Sequence, residues 1–302
     1  MAKVADRQLI LLLNDRLVGA KSARIAALDR GFLYGDGLFE TVRTYHGMPF
    51  ALDRHLRRLA RSARLFRIPF DGSPDYWEPR VRRLLYANRL LAEDAAVRLT
   101  ISRGTGPFGI VPAAGMKPTS VLLATRLDPR LAAAQAHGVS VCFFPTRLVT
   151  ATLPNHKTLH YMPAVLGKMI AARKRAWEAL YLASDDTVLE GSTTNVFVVR
   201  TNTLSTPPLR GILPGVTRHV LAAIARRTGL SLVETPITRT ELLGADEVFL
   251  TASTIEVLPV VRVERAVIGA GTPGPVTRAL QEHYRRHVAA SLRRAAAVRA
   301  RL

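Results

Sequence analysis

Apolar and polar positions alternate with a period of two near the start of the chain and with a helical period soon after. Residues 9–13 form one apolar run, Asn14-Asp15 supplies a turn, and Arg16-Leu17-Val18 returns, which predicts a short hairpin. Gly35-Asp36-Gly37 punctuates the next stretch. Residues 38–45 alternate and meet His46-Gly47, a second hairpin turn. Over 52–66, Leu56, Leu59, Ala60, Ala63 and Phe66 recur at helical spacing, with arginines on the other faces. A second helix is predicted over 75–92, and strands over 96–102 and 120–124. The run 125–130, with Leu127-Asp128-Pro129, breaks the pattern and reads as a linker. Beyond it the pattern gives a strand over 139–144 and a long helix over 161–180. Strands follow at Leu182, 188–189 and 196–199, then a helix over 217–228, strands over 247–251 and 257–263, and a basic helix over 275–301. The chain thus reads as mixed α/β (α+β) in two unequal parts: a smaller domain over 1–125, a linker at 126–130 and a larger domain over 131–302.

Composition narrows the class. The chain has 302 residues, 48% of them hydrophobic, enough for two cores. No apolar run approaches the roughly 18 residues of a membrane helix, and the first residues lack the apolar stretch of a secretory signal. The single cysteine, Cys142, lies in an apolar run and reads as a small core residue rather than a reactive thiol. A cytoplasmic protein with no membrane partner is expected. The formal charge of +20 raises nucleic acid as a partner. Only six of the 43 cations are lysines, and arginines such as Arg54, Arg57, Arg61 and Arg64 fall on solvated helix faces. Aromatics are 6%, and no helix-turn-helix, zinc-finger or RNA-binding motif is present. A basic nucleic-acid-binding protein is therefore only a remote alternative, and no nucleic-acid partner is expected. The charge still favours capture of anionic substrates.

Four segments carry chemistry. In Pro154-Asn155-His156-Lys157-Thr158-Leu159-His160-Tyr161, Lys157 lies between a strand region and a long helix, where an amine can project into a cleft. Lys168 and Lys174, inside the helix, read as solvated-face residues. Glu190 follows two apolar strand residues and precedes Gly191-Ser192, so it is placed to be partly buried, though alone it reads more often as a turn residue. Gly211-Ile212-Leu213-Pro214-Gly215-Val216-Thr217-Arg218 leads into a helix that Thr217 could cap; its first N–H groups would cradle a phosphate, or it is an ordinary helix start. Thr251-Ala252-Ser253-Thr254 is a second phosphate candidate, or a polar turn. An amine, a carboxylate and a phosphate cup are what a pyridoxal 5'-phosphate (PLP) enzyme requires: the lysine for the aldehyde, the acid for the pyridine nitrogen, and donors for the phosphate. No metal site is expected.

Taken together these segments resemble the class IV aminotransferases, the fold-type IV PLP enzymes, from Asp29 to about Val263. Asp29-Arg30-Gly31-Phe32-Leu33-Tyr34-Gly35-Asp36-Gly37-Leu38-Phe39-Glu40 resembles the N-terminal signature. His55-Leu56-Arg57-Arg58-Leu59 resembles the His-x-x-Arg-Leu run, which implies Arg58 as a phosphate ligand. Lys157-Thr158-Leu159-His160-Tyr161 resembles the run around the cofactor-holding lysine, with His160 where Asn is more usual. Glu190-Gly191-Ser192 with Asn195-Val196-Phe197 resembles the motif whose glutamate pairs with the pyridine nitrogen. The resemblance implies that Leu213 packs on the ring and that Val216, Thr217, Ser253 and Thr254 bind phosphate. It also implies a two-domain fold with the cofactor in the interdomain cleft, and a homodimer.

The family includes branched-chain and D-amino acid aminotransferases and 4-amino-4-deoxychorismate lyases. An aminotransferase acting on an amino acid and a 2-oxo acid is the leading expectation, with Lys157 moving the proton at the substrate Cα. The lyase, releasing pyruvate and 4-aminobenzoate, is the alternative. Val97-Arg98-Leu99-Thr100-Ile101-Ser102-Arg103-Gly104-Thr105-Gly106 resembles the lyases and D-amino acid enzymes, but Pro107-Phe108-Gly109 follows where an Arg-Gly pair is common. Lys-Thr-Leu-His-Tyr leans toward the aminotransferases. Tyr34, Phe39, Arg43, Arg98, Tyr161 and Ala252 are the candidate substrate contacts. Arg43 is read either as a carboxylate ligand or as an exposed strand residue.

Overall fold

The computed structural model describes residues 9–145 and 155–299. The N-terminal stretch with Lys3, Pro154 of the lysine motif, and the end of the expected C-terminal helix (300 and 301) lie outside the described residues. The chain divides into two compact units. One takes the residues up to 127 together with His156–His160; the other takes the remainder from 128 onward. The lysine segment therefore belongs, by its contacts, with the first unit.

The first unit contains β1 (Ile10–Leu13), β2 (Arg16–Gly19), α1 (Arg30–Tyr34), β3 (Gly37–Tyr45), β4 (Met48–Pro49), α2 (Leu52–Leu65), α3 (Pro74–Ala87), β5 (Ala95–Ser102) and β6 (Thr119–Arg126). Its strands form one antiparallel sheet in the order β2-β1-β6-β5-β3-β4. The first hairpin turns through Asn14 and Asp15, both at positive φ, the primed geometry that matches strand twist. Leu38 and Val42 of β3, Leu56 and Leu59 of α2, Leu84 of α3, and Val97 and Ile101 of β5 share one core. The second helix is shorter than its pattern predicts. It stops at Ala87 because the Asn88 amide donates to Leu84 O and Ile10 O, and Arg89 turns left-handed. β6 runs on through Thr125 and Arg126, so the pattern break at 125 is still strand.

The second unit contains α4 (Leu131–His137), β7 (Val139–Phe143), α5 (Met162–Arg173), β8 (Glu178–Leu182), β9 (Val188–Gly191), β10 (Asn195–Arg200), β11 (Thr203–Thr206), α6 (Val216–Arg227), β12 (Ser231–Glu234), α7 (Arg239–Leu243), β13 (Glu247–Ala252), β14 (Glu256–Val263), β15 (Ala266–Val267) and α8 (Pro275–Arg299). Its mixed sheet runs β12-β11-β10-β13-β14-β7-β8-β9, with β15 on β14. The helix expected over 161–180 is corrected. It ends at Arg173, Arg175 turns left-handed, and Glu178–Leu182 is a strand paired parallel to β7, buried along its whole length. Cys142 is buried in β7, and burial pushes its thiol above the usual range. Among the described residues no helix is long and apolar enough to cross a membrane.

Candidate functional site

In the first unit the lysine segment adds to the edge of β3. The Phe39 N–H donates to Lys157 O at 2.9 Å, the Leu159 N–H donates to Gly37 O at 3.0 Å, and Leu38 bridges Thr158. His156 is fastened to α2 through Ser62 Oγ and His156 Nδ1, 2.9 Å apart, and through an edge contact with Phe66. Burial and the nearby Arg61 hold the His156 imidazole below its ordinary pKa. With both ends fixed, the Lys157 ammonium sits 4.5 Å from the centre of the Phe39 ring.

The buried face of α2 carries His55, Arg58 and Ser62 alongside Leu56 and Leu59. Arg58 grips Glu40 of β3 with Nε on Oε1 and a terminal nitrogen on Oε2, both at 2.7 Å. His55 Nδ1 lies 2.7 Å from the same carboxylate. Burial alone would raise the Glu40 pKa, but the Arg58 charge and the two hydrogen-bond partners outweigh it and bring it down to about 2. Burial, joined by the charges of Arg58 and Lys157, holds the His55 pKa below its ordinary value although Glu40 lifts it. The neighbouring Arg57 points outward and pairs with Asp53 in the same helix.

Arg98 lies 3.5 Å from the Phe39 ring centre, with Nε on Thr100 Oγ1 at 3.2 Å. Arg43 pairs with Asp94 at 2.8 Å and lies over Tyr45, so it is not the exposed strand residue that the sequence allowed. The Tyr34 hydroxyl accepts from the Gly109 N–H at 3.2 Å. Arg30 donates to Gly109 O and Ile110 O, both at 2.6 Å, and fixes the loop that departs from the family pattern. His160 is exposed, and nothing in the structure explains its replacement of Asn.

In the second unit Glu190, near the end of β9, accepts from the Asn195 amide at 3.0 Å and from the Leu213 N–H at 3.1 Å. The same amide donates to Leu213 O at 3.0 Å. Asn195 Oδ1 lies against Gly215, where a Cβ would collide with it. Glu190, Asn195, Leu213 and Gly215 are thus one interlocked group. Gly215, in extended conformation, is the N-cap of α6 and brings no side chain to cap it. Thr217 is inside the first turn and buried, which corrects its reading as a cap. The first-turn N–H groups and the helix dipole are an anion-binding element. Ser253 and Thr254 occupy the tight turn between β13 and β14, closed by the Ile255 N–H on Ala252 O at 3.2 Å. Tyr161 is the N-cap residue of α5. Lys168, read as a solvated-face residue, instead turns its amine onto the buried Glu178 at 3.0 Å.

Sequence reasoning gave no role to Glu40, His55 or Asn195. All three stand inside the recognised motifs, but their work is to hold another side chain, a signal that only a contact map carries. Among the described residues no group of His, Cys, Asp and Glu could hold a metal ion.

The family model for amino-transferase class IV matches residues 37–263. A Methanocaldococcus jannaschii protein assigned by name as a branched-chain-amino-acid aminotransferase is 35% identical over 91% of this chain and 95% of its own. The D-alanine aminotransferase of Bacillus licheniformis is 33% identical over 90% and 94% of the two chains. The aminodeoxychorismate lyase of Bacillus subtilis is 32% identical over 92% and 94%. Among solved structures, the Escherichia coli branched-chain amino acid aminotransferase superposes with a TM-score of 0.83 at 29% identity, over 90% of this chain and 92% of that one. The chain belongs to the class IV aminotransferase family. It is an enzyme of that class, with the mixed α/β fold of fold-type IV.

Proposed function

We propose that this enzyme uses PLP to move an amino group between an amino acid and a 2-oxo acid, with Lys157 as the lysine that holds the cofactor. One observation carries the reading. Glu190 is held by the Leu213 N–H and the Asn195 amide, in one interlocked group with Gly215, the N-cap of α6. A carboxylate tied in this way to a helix N-terminus whose cap residue is a glycine suits a ligand with a basic ring nitrogen and a phosphate. When bound, PLP supplies an electron-poor ring that stabilises negative charge at the substrate Cα.

The residues then divide the work. The Glu190 carboxylate holds a proton at the pyridine nitrogen. Arg58, Val216, Thr217, Ser253 and Thr254 bind the phosphate, and Leu213 packs on the ring. Lys157 Nζ takes the proton from the substrate Cα and returns it to the product side. Tyr34, Phe39, Arg43, Arg98, Tyr161 and Ala252 contact the substrate.

We further propose a homodimer working in the cytoplasm. Met162, Val165, Leu166 and Met169 leave an apolar face on α5 exposed, and Phe32, Phe108, Ile110 and Val111 are each exposed in the first unit. Contiguous exposed apolar side chains of this kind mark association surfaces.

The resemblance of the stretch 97–106 to the lyases supports 4-amino-4-deoxychorismate lyase as a second reading. One experiment separates the two. A panel of L- and D-amino acids is tested with 2-oxoglutarate, beside pyruvate release from aminodeoxychorismate. Amino transfer without pyruvate release is the expected result. Pyruvate release without transfer would overturn it.

A further inference from the structure

Glu178, the first residue of β8, is completely buried, and the reaction as proposed does not use it. The Ser192 hydroxyl and the Ala179 N–H (3.0 Å) donate to one of its carboxylate oxygens. The Thr193 hydroxyl (2.8 Å), the Thr193 N–H (3.3 Å) and the Lys168 amine (3.0 Å) donate to the other. Three of these five donors come from the turn 192–193, the short connection between Glu190 and Asn195.

Two glycines let the surrounding elements close on this carboxylate. A Cβ on Gly167 of α5 would stand 2.7 Å from the Ser192 Cβ, so the helix presses directly on the turn. A Cβ on Gly191 would stand 2.8 Å from the Glu178 Cγ and collide with the Thr194 hydroxyl. A buried carboxylate is unfavourable unless it is saturated with donors, and an apolar side chain could fill the same space. An apolar side chain could not tie down both residues of the turn.

We infer that Glu178 is a positioning residue. By fixing the turn 192–193 to α5 and β8, it sets the direction of the Glu190 carboxylate and the Asn195 amide that holds it. Its role rests on the pairing of Glu190 with the pyridine nitrogen.

The test is a double-substitution cycle on the holoenzyme, with Glu178→Gln, Glu190→Gln and the pair together. The readouts are the visible band of bound PLP, the rate of PLP loss on dialysis, and kcat and KM for the amino-donor half-reaction. Glu178→Gln is expected to lower kcat and speed PLP loss by about tenfold each, with donor KM changed by less than about twofold. In the Glu190→Gln background the same substitution should cost less than about twofold, because both act along one path. Equal losses in the two backgrounds, or wild-type values for Glu178→Gln, overturn the inference and leave the reading of Glu190 intact. Wild-type values for Glu190→Gln overturn that reading and the inference with it. Lys168→Met, which removes one donor and leaves the carboxylate, runs through the same cycle if Glu178→Gln fails to fold. A smaller loss that again vanishes in the Glu190→Gln background supports the inference, and an additive loss rejects it.

Discussion

Arg58 already carries its counter-charge. Glu40 neutralises it and holds the guanidinium plane still through two charge-assisted hydrogen bonds. The arrangement has a pH signature. The folded Glu40 pKa of about 2 lies below its ordinary 4.5, so its contribution, about 3 kcal/mol, is complete above pH 4.5 and lost as pH falls toward 2. His55, whose pKa burial lowers, adds to the same limb, since its contribution fades as pH falls below its ordinary 6.5. Glu40→Gln should therefore lower stability at pH 7 by about 3 kcal/mol and flatten the acid limb of the urea midpoint against pH. A curve parallel to wild type would reject this role. At this scale the sequence could propose residues that would act by their own chemistry, such as Lys157, Glu190 and Arg58. It was silent where a residue acts through a neighbour, as at Glu40, Asn195 and Glu178.

Elements whose pattern is set locally were legible: the Asn14-Asp15 hairpin, the alternating strand β3 and the amphipathic helix α2. The longest misread segment has a tertiary cause. Residues 161–180 read as one continuous helix because Ala, Leu, Lys and Arg suit a helix throughout. The break at Arg175 and the strand after it come from pairing with β7, a partner far away in sequence. The short elements β11, β12, α4 and α7 are too brief to show a period. At the start of α6, Gly215 is required by the approach of Asn195 Oδ1 rather than by backbone freedom, since its φ is an ordinary −62°. Gly215→Ala should push Asn195 away from Glu190 and raise the PLP dissociation constant about tenfold, with a melting temperature lowered by only a few degrees. Unchanged PLP affinity would show that the contact between Asn195 and Gly215 does not shape the phosphate end.

At the scale of the whole molecule two features remain, the charge of +20 and the exposed apolar faces. The charge should act on anionic substrates at long range. Raising ionic strength should increase KM for a dicarboxylic 2-oxo acid more than for an uncharged amine donor, and equal shifts would count against steering. The exposed side chains of α5 predict a dimer in solution. Leu166→Glu with Met169→Glu should halve the mass seen by light scattering, and an unchanged mass would place the interface elsewhere.

The identity of the lysine that holds the cofactor is tested most directly by borohydride reduction of the PLP-loaded protein, followed by peptide mass spectrometry. A pyridoxyl group on the peptide that contains Lys157, and its loss in Lys157→Ala but not in Lys21→Ala, is the predicted result. A label on Lys168 or any other lysine, or no label at all, would contradict it.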